Sequence, residues 1–173
     1  NRERTLEFRP STTLNFEVYV DSNWSTGFSC SGALFFLHGC LFAWFSKMQH
    51  SVSLSSAEAE YFGAMLAARD MLFLRDVLAD LGVNLDGPTP MYTDSKSAID
   101  MSFDPVSFKN TKHILRAAQF LRDLVARQFI RMEHLPGKVM IADLLTKPCS
   151  RPVFIQLFQL VLDYHRSGLA CPP

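Results

Sequence analysis

The chain has 173 residues, of which 48% are apolar and 20% charged, with 17 basic and 17 acidic side chains. That length suits one domain with a bulky core, and a formal net charge of zero excludes a global electrostatic pull onto nucleic acid or membranes. Cys30, Cys40, Cys149 and Cys171 form no CxxC pair, so a zinc ribbon or redox motif is not expected and thiols in a reducing compartment are. No apolar run reaches the ~20 residues of a membrane span, and no signal-peptide pattern is present. The first residue is Asn1 rather than Met, which suggests a fragment of something longer.

Residues 1–15 read as a polar extension with a short strand at Thr5 to Phe8, ended by Pro10. From Phe16 the pattern alternates, with Phe16, Val18 and Val20 on one face and Glu17, Tyr19 and Asp21 on the other, which predicts a strand. A second strand is expected at Ala33 to Leu37 and a third at Leu41 to Phe45, joined at His38 and Gly39 as a hairpin. Ser55 and Glu58 then fit a capping box that opens a long helix, stopped at Gly82.

A short strand at Met91 to Thr93 delivers Asp94 to its end, and a polar helix follows from Ser95 to Met101. After a loop at Asp104 to Asn110, a second long helix runs from Lys112 to Gln128 and a strand from Phe129 to Leu135. A short helix is expected at Met140 to Thr146 and a last amphipathic helix at Val153 to His165. The order is β-β-β-α-β-α-α-β-α-α, an α/β fold. The expected organisation is an extension at 1–15, one domain at 16–148, and a C-terminal helix and tail at 149–173 packed on that domain.

Placement selects the acids of interest. At about 100° per residue, Asp76, Arg69 and Asp80 line up with Glu58, so that line reads as a solvated face and Glu58 as a cap residue. Glu60 points about 200° away, above Ala64, Ala67, Met71, Leu74 and Leu78. A carboxylate at the mouth of an apolar stripe is costly unless something pairs with it. Asp21 and Asp94 close predicted strands, and Asp143 lies in the short helix IADLLTKP. Taken singly, Asp21 and Asp94 read more readily as turn or cap residues, and Asp143 equally well as a solvated helix residue. Clustered, the four carboxylates would repel one another unless cations lay between them, and hard oxygen ligands favour Mg²⁺ or Mn²⁺. Two such ions roughly 3.5–4 Å apart can clamp the attacking and leaving oxygens of a phosphodiester.

YVDSNW, SSAEAEY, YTDSKSAI, TKHI and ADLLTKP stand in the order and spacing of the RNase H domain of copia-type retrotransposon Pol polyproteins, which this chain resembles from about Leu6 to its last helix. The segment AWFSKMQHSVSLSSAEAEY is an especially close likeness. The resemblance implies an RNase H-like fold: a five-stranded mixed sheet, antiparallel through its first three strands with the fourth and fifth added in parallel, flanked by helices. It implies endonucleolytic cleavage of the RNA strand of RNA–DNA hybrids during reverse transcription. It also implies two Mg²⁺ ions, replaceable by Mn²⁺, on Asp21, Glu60, Asp94 and Asp143.

The implied partners are an RNA–DNA hybrid and the reverse transcriptase domain of the same polyprotein, with no membrane. The implied location is a virus-like particle in the cytoplasm, or the nucleus if a host has adopted the gene. Many RNases H carry a histidine in the loop before the last acid, whereas here that loop, Pro136 to Met140, has none. His134 lies in a predicted strand and reads as structural.

From Lys109 to Lys138 seven Lys and Arg face two acids, a local balance of +5 that makes a phosphate track. Asn110, Thr111, Lys112 and His113 open the second long helix, where a helix N-terminus favours phosphate. Lys138 in the following loop is a further phosphate candidate. By resemblance, Ser55 and Ser56 approach the DNA strand, and Ser95 and Lys96 sit beside the active site. Two rivals remain: an inactive RNase H-like module kept for binding nucleic acid or protein, and an integrase-type domain. The latter places a glutamate late in the chain, where this chain has Asp143.

Overall fold

The computed structural model describes residues 15–50, 52–103 and 112–167. The strand expected at Thr5 to Phe8 and the candidates Asn110 and Thr111 lie outside them. β1 (Phe16–Asn23), β2 (Cys30–Leu37) and β3 (Cys40–Met48) form an antiparallel meander. β2 and β3 meet through His38 and Gly39, with φ of 53° and 75°, as a two-residue type I′ hairpin requires. β1 and β3 run past their expected ends, and β2 starts at Cys30, ahead of its expected start at Ala33. β3 extends to Met48 because it is an edge strand, whose exposed Ser46 and Lys47 can still pair with β2 through backbone alone.

α1 (Ser56–Asp80) crosses the sheet and leads to β4 (Thr89–Thr93), which pairs parallel to β1. α2 (Lys96–Phe103) and α3 (Lys112–Ala126) follow, and β5 (Ile130–His134) joins β4 in parallel. The sheet order is β3-β2-β1-β4-β5. A 3-10 turn at Gly137–Val139, α4 (Asp143–Thr146) and α5 (Arg151–Ser167) complete the chain. Among the described residues no helix is long and apolar enough to cross a membrane.

Three local expectations need correction. The helix expected at Met140 to Thr146 is helical only over Asp143–Thr146, with a non-helical stretch at Met140 to Ala142 after the 3-10 turn at Gly137–Val139. Met140, Ile141 and Ala142 are all fully buried under the sheet, so packing rather than helix propensity decides their path. α3 stops at Ala126 because Gln128 takes φ of 58° and Phe129 N donates to Leu124 O, a Schellman closure without glycine. Glu58 is a cap residue but not a solvated one, being 3% exposed. Its backbone N–H donates to Ser55 Oγ, and its carboxylate accepts the Leu54 N–H at 2.7 Å, which folds the preceding loop over it.

The sheet is covered on both faces. Phe16, Val18 and Val20 pack with α1, α2 and α3, while Tyr19 packs with Tyr92, Met140, Ile141 and the α5 residues Val161 and Tyr164. A central strand thus buries both of its faces, although its sequence alternates. On the second face Tyr164 stacks on Phe36 at 4.1 Å, bonds the Tyr19 hydroxyl at 2.7 Å and donates to the Glu17 carboxylate. Burial holds the Glu17 carboxyl above its ordinary range.

Candidate active site

β1 and β4 are neighbouring parallel strands, registered Val18 to Met91 and Tyr19 to Tyr92. Asp21 and Asp94 therefore emerge side by side at the same edge of the sheet. β1 pairs with β2 on its other side, so this is where the chain's strand order reverses. In open α/β sheets such a switch point, at the carboxyl ends of the strands, leaves a crevice.

α1 brings Glu60 to the same crevice. One close approach and a buried polar cluster make that possible. Gly63 has no side chain, and a Cβ there would meet Ser22 Oγ well inside 3.0 Å. Beside it Ser22 bonds Ser31 at 2.9 Å, Gln49 Nε2 donates to Ser31 Oγ and to Ala59 O at 2.8 Å each, and Ser53 donates to Gln49. This buried polar knot fastens α1 to β1 and β2 next to the acids.

Ligand oxygens of Asp21, Glu60 and Asp94 lie within 4.8 Å of one another. Asp21 is fully buried, the other two partly. Burial first, then the Asp21 and Asp94 carboxylates, pushes the Glu60 carboxyl up to about 9, although the Ser22 N–H and Lys147 oppose this. Burial and Asp21 likewise raise Asp94. A proton on Glu60 thus relieves crowding that a divalent cation would relieve better. An all-carboxylate donor set is that of a hard ion. The residues fit such an ion.

Asp143 opens α4 on the same side but does not join that trio of oxygens. Lys147, four residues on, donates to Asp143 Oδ1 at 2.8 Å and to Asp21 Oδ1 at 3.1 Å. Thr146 donates to the other Asp21 oxygen. Burial raises the Asp143 carboxyl, with Lys147 opposing. Burial disfavours the Lys147 ammonium, but Asp143 and Asp21 outweigh it and hold the group well above its ordinary range. α4 can lie this close because Gly32 faces it: a Cβ there would be 2.6 Å from Leu145 Cβ. Ser46 also bonds Leu145 O at 2.7 Å.

Thr146 and Lys147 were not singled out from the sequence, although the i, i+4 spacing of Asp143 and Lys147 is a signal for such a pair. His134 also differs from expectation. It is exposed at the end of β5, registered with Thr93, and close enough to Asp94 to stabilise its charged form. It is still a paired residue of β5, but an exposed one, whereas Ile130 and Met132 of the same strand are buried.

The polar candidates fall as follows. Ser55 and Ser56 are exposed at the start of α1, with Ser55 Oγ serving as the cap. Ser95 accepts the Ala98 N–H and caps α2, and Lys96 beside it is exposed. Lys112 and His113 begin α3. Lys138 is exposed on the 3-10 turn, whose Gly137 passes close to Asp94: a Cβ at Gly137 would be 3.2 Å from Asp94 Oδ2.

No protein-family model matches the chain. It is 31% identical over 150 residues, 84% of its length, to the retrovirus-related Pol polyprotein from transposon RE1 of Arabidopsis thaliana. It is 34% identical over 133 residues to the corresponding polyprotein from transposon TNT 1-94 of Nicotiana tabacum. The chain spans only 10% of each.

Among solved structures, the RNase H1 called LC11, in complex with an RNA/DNA hybrid, superposes with a TM-score of 0.60 at 15% identity, covering 76% of this chain and 94% of that one. The N-terminal RNase H domain of a Mycobacterium tuberculosis protein gives 0.54 at 18% identity, over 85% and 98%. The protease-reverse transcriptase of prototype foamy virus gives 0.50 at 14% identity, over 96% of this chain and 22% of that one. At these identities the structural likeness speaks for the fold, a five-stranded RNase H sheet with flanking helices.

Proposed function

We propose, from the premise that the chain is homologous to one segment of the retrovirus-related Pol polyproteins of transposons and has the RNase H fold, that it is a metal-dependent ribonuclease H. Its substrate is the RNA strand of an RNA–DNA hybrid. The observation that carries this reading is the convergence of Asp21, Glu60 and Asp94 at the carboxyl ends of β1 and β4. Asp21, Glu60 and Asp94 hold Mg²⁺, and Asp143 completes the set for a second ion. Bound there, such ions supply an activated water and charge stabilisation for the leaving oxygen of a phosphodiester.

The chain's own groups set the stage for that chemistry. Burial of Asp21 with the Thr146 hydroxyl on one oxygen fixes the carboxylate's orientation. Burial and the neighbouring Asp21 and Asp94 carboxylates favour the protonated form of Glu60, so a cation bound there would compete with that proton. Exposed Lys96 and Lys138 flank Asp94 and contact phosphates, with Lys112 and His113 at the start of α3 extending the track. Ser55 and Ser56 face the DNA strand. The foamy-virus protein, which carries this fold within a protease-reverse transcriptase, supports a reverse transcriptase of the same polyprotein as the partner that supplies most of the substrate grip. The place of action is then a cytoplasmic virus-like particle.

The test is cleavage of a labelled hybrid with and without Mg²⁺. Asp94→Asn is expected to abolish cleavage while leaving the circular dichroism spectrum unchanged. Full activity in that variant would overturn the mechanism, and no cleavage by the unaltered chain at any concentration would favour a binding module instead.

A further inference from the structure

Resting on the reading of the acid cluster as a metal site, we propose that Lys147 is a resident cation of that cluster. It holds Asp21 and Asp143 together, so the site takes one divalent ion at Asp21, Glu60 and Asp94 and admits a second only when Lys147 leaves.

The geometry is specific. One ammonium contacts an oxygen of each carboxylate, at 3.1 Å and 2.8 Å. An ion bridging Asp21 and Asp143 would have to compete for both oxygens. The side chains are 0% exposed for Asp21, 19% for Asp143 and 35% for Lys147, so water screens the arrangement only in part. A carboxylate oxygen has two lone pairs. Asp21 can therefore keep Thr146 and Lys147 as partners and still offer a lone pair to an ion shared with Glu60 and Asp94.

The backbone and the side chain of Lys147 differ in freedom. α4 is clamped to the sheet by the close approach of Gly32 to Leu145 and by the bond from Ser46 to Leu145 O. The lysine stem above it has four rotatable carbons and a point charge with no preferred bidentate geometry. Lys147 can thus swing out without moving Asp143 or the α4 backbone. Asp143 is then a ligand in waiting, neutralised by a lysine until a second cation replaces it. The carboxylates would otherwise face one another without a counter-charge, and removing one partner of a partly buried ion pair is costly.

Mn²⁺ titrated calorimetrically into the metal-free full chain tests this, with K147M and K147R beside the unaltered protein. One ion is expected in the unaltered chain and in K147R, which retains a cation. Two ions are expected in K147M, the first bound about tenfold more tightly once the neighbouring positive charge is gone. A lysine that merely pinned α4 would lower the melting temperature of K147M and leave the ion count alone. A folded K147M with unchanged stoichiometry and affinity would overturn the proposal.

A crystal of the unaltered chain in Mn²⁺ gives a second reading that needs no variant. One ion with Lys147 still on both acids, or two ions with Lys147 displaced, agrees with the proposal. Two ions with Lys147 unmoved contradicts it. Failure of the underlying reading looks different: no Mn²⁺ bound by either protein removes the metal site itself. An absence of hybrid cleavage with these ion counts intact removes the nuclease and leaves the role of Lys147 standing.

Discussion

Gly63→Ala places one methyl group where α1 touches β1. The new Cβ would lie well inside 3.0 Å of Ser22 Oγ and 3.2 Å from Ser31 Oγ. Those two hydroxyls bond each other at 2.9 Å, and Ser31 also accepts from Gln49. Relief requires α1 to lift or Ser22 to turn away. Overpacking of this kind costs ~1–3 kcal/mol, and a buried hydroxyl stripped of its partner costs ~1–3 kcal/mol more. Against this, alanine in a helix gains about 1 kcal/mol over glycine. The net expectation is a loss of about 1–5 kcal/mol, read as a lower denaturant midpoint at an unchanged slope.

Ser22→Ala in the same chain removes the oxygen the methyl strikes, so the double variant should recover at least ~1 kcal/mol of the single loss. Glu60 lies one turn before Gly63, and Asp21 directly precedes Ser22. Gly63→Ala should therefore also weaken Mn²⁺ binding. Stability within ~0.5 kcal/mol of the unaltered chain, or a double variant no better than the single, would refute the idea that this contact sets the spacing of the acids.

Glu60 predicts a pH dependence with a definite sign. Its carboxyl sits at about 9 in the folded chain against 4.5 for an unperturbed glutamate. The folded metal-free protein holds that proton more tightly than the unfolded one. Its contribution is complete below about 4.5 and is lost as pH rises through about 9, at up to ~1.4 kcal/mol per unit. Melting temperatures of the metal-free chain should fall over that window and those of the Mg²⁺-loaded chain should not. Mg²⁺ affinity should rise by up to about tenfold per pH unit between about 6 and 8, and an affinity independent of pH would contradict the assignment. Tyr164→Phe keeps the stack on Phe36 but deletes the hydroxyl that serves Tyr19 and Glu17. A loss of ~1–3 kcal/mol is expected, with faster hydrogen exchange in α5, and an unchanged α5 would show that the hydroxyl does not dock it.

Much of this protein follows from the sequence alone, because the signals involved are local. Alternation at Phe16 to Asp21, the His38-Gly39 turn, the Ser55–Glu58 box and Gly82 with φ of 80° each act within a few residues. They set the order of elements, and with it the fold. The preference for Glu60 over Glu58 came from helix angle, and Glu60 does reach the crevice, but the same angle put Glu58 in water. Its burial depends on a loop folding back from Leu54, which periodicity does not register.

Contacts across long sequence separation belonged to the tertiary structure. Thr146 and Lys147 reach Asp21 across 125 and 126 positions, and no helical or strand period links such residues. Gly32 and Gly63 matter only because another element passes over them. The sequence determined which acids the chain carries and the elements that bear them. Packing decided which carboxylates converge, that a lysine stands between two of them, and hence how the charge of the site is balanced.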